Sequence, residues 1–296
     1  CWLREAESRN IFVPVDYSEI VRNLEKGDDV CGNPKFFQLN EGTTLRPSIE
    51  TSLHALMPQR YVIHVHSVNA ISNAVLQNGE ERVSQLLEGF DWSWVPYVRP
   101  GLPLTRAVQK IVRSNVDVLV LANHGLVLGA ESKDEALELL NLVEVRLKRF
   151  RRDPDMSGTK NLLEVLKDTR YQPSKFSQIH SLAFDPVSLA IAAEEPLYPD
   201  HIVFLGDGPM SIMSEAQLGA YLKQDIRLQD HEVIIVRDMG VVKLDSLSES
   251  AEEMLHCLSS VLLRIQPGEK LRYLTRHEQA QILAWDAEKY RQANQS

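Results

Sequence analysis

Two histidines one residue apart, His64 and His66, stand inside the apolar run Tyr61-Val62-Ile63-His64-Val65-His66. The run is rich in β-branched residues and follows Pro58, which predicts a strand. Alternate residues of a strand share a face, so the two Cβ atoms should lie roughly 6.5–7 Å apart on one side. At that spacing both imidazoles reach one metal ion at about 2.0–2.1 Å. The same spacing suits two histidines facing water, so the pair needs a third ligand before it means a metal. His124 is the candidate, because it follows the apolar strand VDVLVLAN (116–123) in an Asn-His-Gly sequence. Strand ends and the loops after them are where sheet proteins of this kind hold ligands. Three protein ligands with one open position make a catalytic site, whereas four close a structural one. The competing reading is a histidine that caps its strand through a backbone hydrogen bond, and spacing alone does not separate the two.

The elements that must position these residues alternate short apolar runs with helical patterns, the mark of an α/β or α+β domain. IFVPV (11–15) and the segment around FFQLN (36–40) read as strands, and SIETSLHALM (48–57) reads as a helix with Ser48 at its N-cap. A helical stretch, 67–78, follows the histidine strand. WSWVPYVRPGLPLT carries three prolines and reads as an ordered loop, and RAVQKIVRSN after it reads as a helix. GLVLG is a second short strand, and Ser132-Lys-Asp-Glu135 is a capping box that opens a long helix. The polar stretch RRDPDMSGTK (151–160) divides the chain into a first domain, 1–150, and a smaller α/β domain, 161–296. In the latter, HIVFL (201–205) and EVIIV (232–236) read as strands, with helices over 248–265 and from Thr275, whose Thr275-x-x-Glu278 is another capping box. VDVLVLANHG, HIVFLGDG and EVIIVRDMG share only an apolar run before a glycine, and no internal repeat is read from them. Gly206-Asp-Gly208-Pro lacks the third glycine of a dinucleotide fingerprint and reads as a turn. The basic run Arg146 to Arg152 reads as a solvated helix end that complements the dipole. His54 shares a helix face with Glu50 and is expected to pack beside the site rather than to bind a ligand.

PSIETSLHALMPQRYVIHVHS together with LANHGLVLG resembles the class II aldolase/adducin family, in particular its fuculose and rhamnulose phosphate aldolase-like members. The resemblance covers roughly residues 1–150 and rests on three motifs in the family's order. It implies a three-layer αβα domain with a predominantly antiparallel central sheet. It also implies that His64, His66 and His124 bind a divalent metal, zinc being the expected ion, and that Glu50 is the catalytic acid/base. Two departures bear on substrate. Phosphate-using members place two serines before the glutamate, where this chain has Ser48-Ile49, so Ser48 alone is expected to meet substrate. Their phosphate-cradling glycine loops also lie upstream of the region matching CWLREA. The chemistry implied is carbon–carbon cleavage beside a carbonyl, in a ketose or related carbohydrate-like small molecule. Epimerases, decarboxylases and dehydratases of the same scaffold use the same metal, and a non-catalytic adducin-like binding module is the rival from another class.

Composition bounds the rest. The 296 residues carry 32 basic and 41 acidic side chains, a net charge of −9 that argues against nucleic-acid binding. No apolar stretch is long enough to span a bilayer, so no membrane partner is expected. Cys1, Cys31 and Cys257 are few and odd in number, which suggests a reducing, cytoplasmic compartment. A homo-oligomeric enzyme is expected. The chain opens on Cys1, and CWLREAESRNIFVPVDYSEI reads as mid-domain sequence, so several dozen further residues are expected upstream.

Overall fold

In the computed structural model, which describes residues 3–40, 45–112, 116–156, 162–223 and 231–284, the histidine strand is β1, Tyr61–Val65. It joins a four-stranded sheet of order β1-β4-β3-β2, with β2 at Trp92–Val95, β3 at Val118–Leu121 and β4 at Gly125–Ala130. β1 runs antiparallel to β4, with His64 opposite Val127 and Val65 opposite Leu126. β2 runs parallel to β3, with Val95 opposite Leu121. β3 and β4 are neighbours joined by a three-residue turn, so they too run antiparallel. The helices of this part are α1 (Tyr17–Lys26), α2 (Thr51–His54), α3 (Val68–Ala74), α4 (Gly79–Leu86), α5 (Leu102–Gln109) and α6 (Lys133–Leu147). Leu119 and Leu121 of β3, Val127 of β4 and Val95 of β2 bury one face against Leu53, Met57, Leu104 and Val108. Leu53 is therefore the anchor of the short α2, and truncating such a buried leucine costs about 2–5 kcal/mol.

Four expectations change in the chain up to residue 152. WSWV is strand β2 rather than loop, because its aromatic residues suit a pleated surface and the prolines begin only at Pro96. IFVPV and FFQLN give a single antiparallel bridge, Val15 with Gln38, since Pro14 breaks the first run and Phe36 and Phe37 belong to a 3-10 helix, Pro34–Phe37. The helix expected over 48–57 shrinks to Thr51–His54, with Glu50 and not Ser48 at its N-cap. The basic run is not wholly solvated: Arg149 is buried, pairs with Glu269 and donates to the Arg264 carbonyl, and Arg152 pairs with Asp185. Of the helix expected over RAVQKIVRSN, residues 113–115 lie outside the described residues, as do 157–160 of the proposed boundary and Cys1.

The second sheet has order β5-β8-β7-β6, with β5 at Tyr171–Pro173, β6 at Ser211–Met213, β7 at Val233–Val236 and β8 at Gly240–Leu244. The remaining helices are α7 (Leu162–Val165), α8 (Ser177–His180), α9 (Pro186–Ala192), α10 (Pro199–Leu205), α11 (Glu215–Tyr221), α12 (Glu249–Leu262) and α13 (Arg276–Leu283). Ile235 and Val241 face one core, while Ile234, Val236 and Val242 face another. Burial on both faces explains the unbroken apolar run of β7. HIVFL is not a strand but the body of α10: Pro199 pre-sets the first helical φ, and five apolar residues alone do not distinguish the two structures.

Two of the three glycine-ended segments are equivalent after all. In each sheet the first strand is antiparallel to the fourth and the second is parallel to the third. Both third-to-fourth turns hold a left-handed residue, Asn123 at φ 52° and Asp238 at φ 57°, two positions before a glycine. Their amides donate to matching carbonyls, Asn123 N–H to Ala74 and Asp238 N–H to Ala183. The second sheet thus repeats the topology of the first. The register places Pro173 opposite Val242 as His64 stands opposite Val127, which puts Lys175 at the place of His66 and Met239 at that of His124. The repeat keeps the scaffold and lacks the three histidines.

His201, 4% exposed on α10, has no hydrogen-bond partner for either ring nitrogen among the described residues. Burial lowers its pKa to about 4. The unfolded side chain, near 6.5, binds a proton that the native one refuses, so stability is lost as pH falls from about 6.5 towards 4. His54, also lowered to about 4 by burial with the charge of His64 as second cause, acts in the same direction. Each shift corresponds to roughly 3 kcal/mol over that window. Denaturant titrations of chelator-treated protein should show His201→Leu losing the roughly 3 kcal/mol of this pH dependence that belongs to His201. An unchanged slope would show that His201 does not remain neutral.

Candidate metal centre

Glu50, His64, His66 and His124 each offer one ligand atom, and these atoms all lie within 4.8 Å of one another. Two of the three histidines arrive on β1 and the residue that extends it, as the pleat requires. The third, His124, is 4% exposed and sits in the β3–β4 turn, with its ring centroid 4.8 Å from that of His66. Ser67 caps α3 by accepting from the Ala70 N–H, which ends the strand immediately after His66.

The ring orientations are fixed from behind. His64 Nδ1 lies 2.7 Å from the Leu126 carbonyl oxygen. A carbonyl only accepts, so Nδ1 carries a hydrogen, and in the neutral ring Nε2 keeps its lone pair. His66 Nδ1 lies 2.5 Å from Asp200 Oδ2, which fixes the same tautomer. Both histidines therefore present Nε2 as a donor atom, the form in which neutral imidazole ligates a metal. His64 Nε2 in turn faces Glu50 Oε2 at 3.0 Å. Two lone-pair atoms at that distance repel unless they share a cation, either a proton or a metal ion. With nitrogen donors and one carboxylate, the set fits zinc-like divalent ions.

Glu50 is 8% exposed. Its place is the N-cap of a one-turn helix rather than the first turn of a ten-residue one, so little helix dipole acts on it. Ser48 is exposed, and its hydroxyl oxygen accepts from the Glu50 N–H at 3.2 Å. That contact uses the oxygen and leaves the hydroxyl hydrogen to donate. His54 packs edge-on to His64, with ring centroids 6.0 Å apart.

The turn that presents His124 is pinned by Asn123. Its Nδ2 donates to the Leu197 carbonyl at 2.7 Å and the Arg272 carbonyl at 2.8 Å, and its oxygen accepts from Arg272 at 3.3 Å. Asparagine also tolerates the left-handed φ better than alanine. Asn123→Ala should cost about 2–4 kcal/mol, combining left-handed strain with lost bonds to buried carbonyls. Asn123→Gly relieves the strain only and should recover about 1 kcal/mol of that loss in a urea titration. Sequence reading missed Asn123 and Asp200, although the asparagine before His-Gly carried a signal for a left-handed turn.

Residues 12–149 match the family model described as the Class II Aldolase and Adducin N-terminal domain. A protein named Uncharacterized oxidoreductase YuxG, of Bacillus subtilis (strain 168), is 28% identical over 196 residues, covering 64% of this chain and 27% of that protein. The chain thus spans about a quarter of the length of that relative. The N-terminal Class II Aldolase domain of a conserved protein from Thermoplasma acidophilum is similar at 23% identity and a TM-score of 0.42, covering 46% of this chain and 64% of that one. An aldolase II superfamily protein from Pseudomonas syringae gives 20% identity and a TM-score of 0.32, covering 38% and 48%.

Proposed function

We propose, from a chain whose residues 12–149 match the class II aldolase and adducin N-terminal domain, a metal-dependent carbon–carbon lyase. Its substrate is a ketose, a sugar phosphate or a related hydroxy-carbonyl compound. The observation that carries the proposal is the convergence of two tautomer-fixed Nε2 atoms, His124 and a buried carboxylate on one point. A non-catalytic binding module has no need of such a donor set. In this reading His64, His66 and His124 hold the ion, which is zinc. Bound there, a divalent ion supplies the Lewis acidity that stabilises the negative charge left when a carbon–carbon bond beside a carbonyl breaks.

The chain's own groups do the rest. Glu50 moves the proton between the substrate and solvent, a role typically worth about 10²–10⁴-fold. Ser48 offers its hydroxyl hydrogen to a substrate oxygen while its own oxygen accepts from the Glu50 N–H. His54, neutral at pH 7, adds no second positive charge beside the ion. Residues 161–296 are a second domain in this proposal, and the enzyme is a cytoplasmic homo-oligomer. Among the described residues, no helix is long and apolar enough to cross a membrane.

Elemental analysis of purified protein, followed by a panel of ketoses and ketose phosphates assayed for aldehyde release, tests the reading. Metal-dependent aldehyde release supports it. The name of the Bacillus subtilis relative favours a second reading, in which a metal-polarised carbonyl is reduced. Metal-dependent oxidation of a reduced nicotinamide cofactor without cleavage would put that reading first.

A further inference from the structure

The family match ends at residue 149, and nothing in the sequence of the C-terminal half points to chemistry. Yet Asp200, 134 residues downstream of His66, reaches His66 Nδ1 at 2.5 Å. Asp200 is 4% exposed, in the first turn of α10, whose N-cap Tyr198 provides no side-chain cap. A buried carboxylate is costly unless its oxygens are used, and this one is turned onto the back of an imidazole. We propose that Asp200 is a positioning residue for the metal centre: it accepts the Nδ1 hydrogen of His66, fixes that ring's tautomer and direction, and makes Nε2 the more basic ligand. The inference rests on the metal-site reading above and extends it to a residue beyond the family domain.

The surroundings fit that role. Tyr198 and Cys257 lie close enough to Asp200 for its charge to act on both, after burial as the larger cause, and the Cys257 thiol is pushed up to about 11. The thiol is therefore protonated at neutral pH. The contrast with His64 is informative, because that ring is oriented by the neutral carbonyl of Leu126. His64 on β1 thus leans on a backbone dipole, and His66 just after it on a full negative charge. Carboxylate support raises a ligand's basicity more than a carbonyl does, and its loss typically costs about 10–100-fold in metal affinity.

The competing account is that Asp200 merely complements the N-terminal end of α10. Three variants separate the two. Asp200→Asn keeps an acceptor at the same reach without the charge. Asp200→Glu keeps the charge in the first turn but moves the carboxylate by one methylene. Asp200→Ala removes both. Affinity for Zn2+ is measured by competition with a chromogenic chelator, and the ligand-field spectrum of each Co2+-loaded variant is recorded. The positioning role predicts binding about 10–100-fold weaker in Asp200→Ala and Asp200→Glu, with a shifted Co2+ spectrum, and a smaller loss in Asp200→Asn. Near-normal affinity in Asp200→Glu with a loss in Asp200→Asn would overturn the role in favour of the helix-end account. Unchanged affinity in all three, with wild type binding one ion, would overturn the Asp200 role alone. A wild type that takes up no metal would overturn both this role and the metal-site reading.

Discussion

Replacing His124 with alanine should strip most of the metal from the protein while leaving it folded. His124 is one of four residues whose donor atoms lie within 4.8 Å of one another, and of the three histidines it alone lies on neither β1 nor the residue that follows it. Zinc sites with four protein ligands are worth about 10–16 kcal/mol at neutral pH, so one ligand accounts for roughly 3 kcal/mol, or about 100-fold in affinity. Linkage gives an independent readout. Metal present at about 100 times its dissociation constant stabilises the native state by about 2.7 kcal/mol, and a 100-fold weaker site loses most of that. The melting temperature of His124→Ala should therefore respond little to added Zn2+ at concentrations that stabilise wild type. Elemental analysis of wild type should return one ion per chain, because the repeated sheet carries Pro173, Lys175 and Met239 at the corresponding places. Stoichiometric metal in His124→Ala would mean that the histidine serves its turn and not an ion.

Glu50→Gln should behave in the opposite way, keeping the metal and losing turnover. Glutamine preserves the shape of the side chain and removes the proton acceptor. The loss should fall on kcat at about 10²-fold or more, with KM little changed, as expected when a group acts only in the transition state. The 3.0 Å contact of Glu50 Oε2 with His64 Nε2 makes this experiment decisive in a second respect. If Glu50 is instead a fourth permanent ligand, the site is closed, and Glu50→Gln should lose metal together with activity. Full metal content with normal turnover would leave another group to move the proton, and His54, packed against His64, would be the next residue to replace.

What the sequence alone determined about this protein is what short-range geometry dictates. The pleat puts every second residue on one face, so His64 and His66 shared a face before any fold was known. Capping boxes close within four residues, and those at Ser132–Glu135 and Thr275–Glu278 form as read. VLVL and VIIV were legible as strands because burial on both faces leaves an unbroken apolar run. The tertiary structure decided everything that depends on which distant segments meet. Whether HIVFL is strand or helix turned on packing, since five apolar residues fit either period. The repeat was invisible in the residues because topology and a left-handed turn are preserved while the side chains, the ligands among them, are not. At the candidate site, sequence proposed three histidines, but the directions of two of the rings depend on partners far along the chain: Leu126 for His64, 62 residues away, and Asp200 for His66, 134 residues away. A local pattern constrains a backbone through interactions a few residues long, and it holds no information about register or docking across such separations. That is why candidate donors could be named from the chain, while the orientation of the His64 and His66 rings came only with the fold.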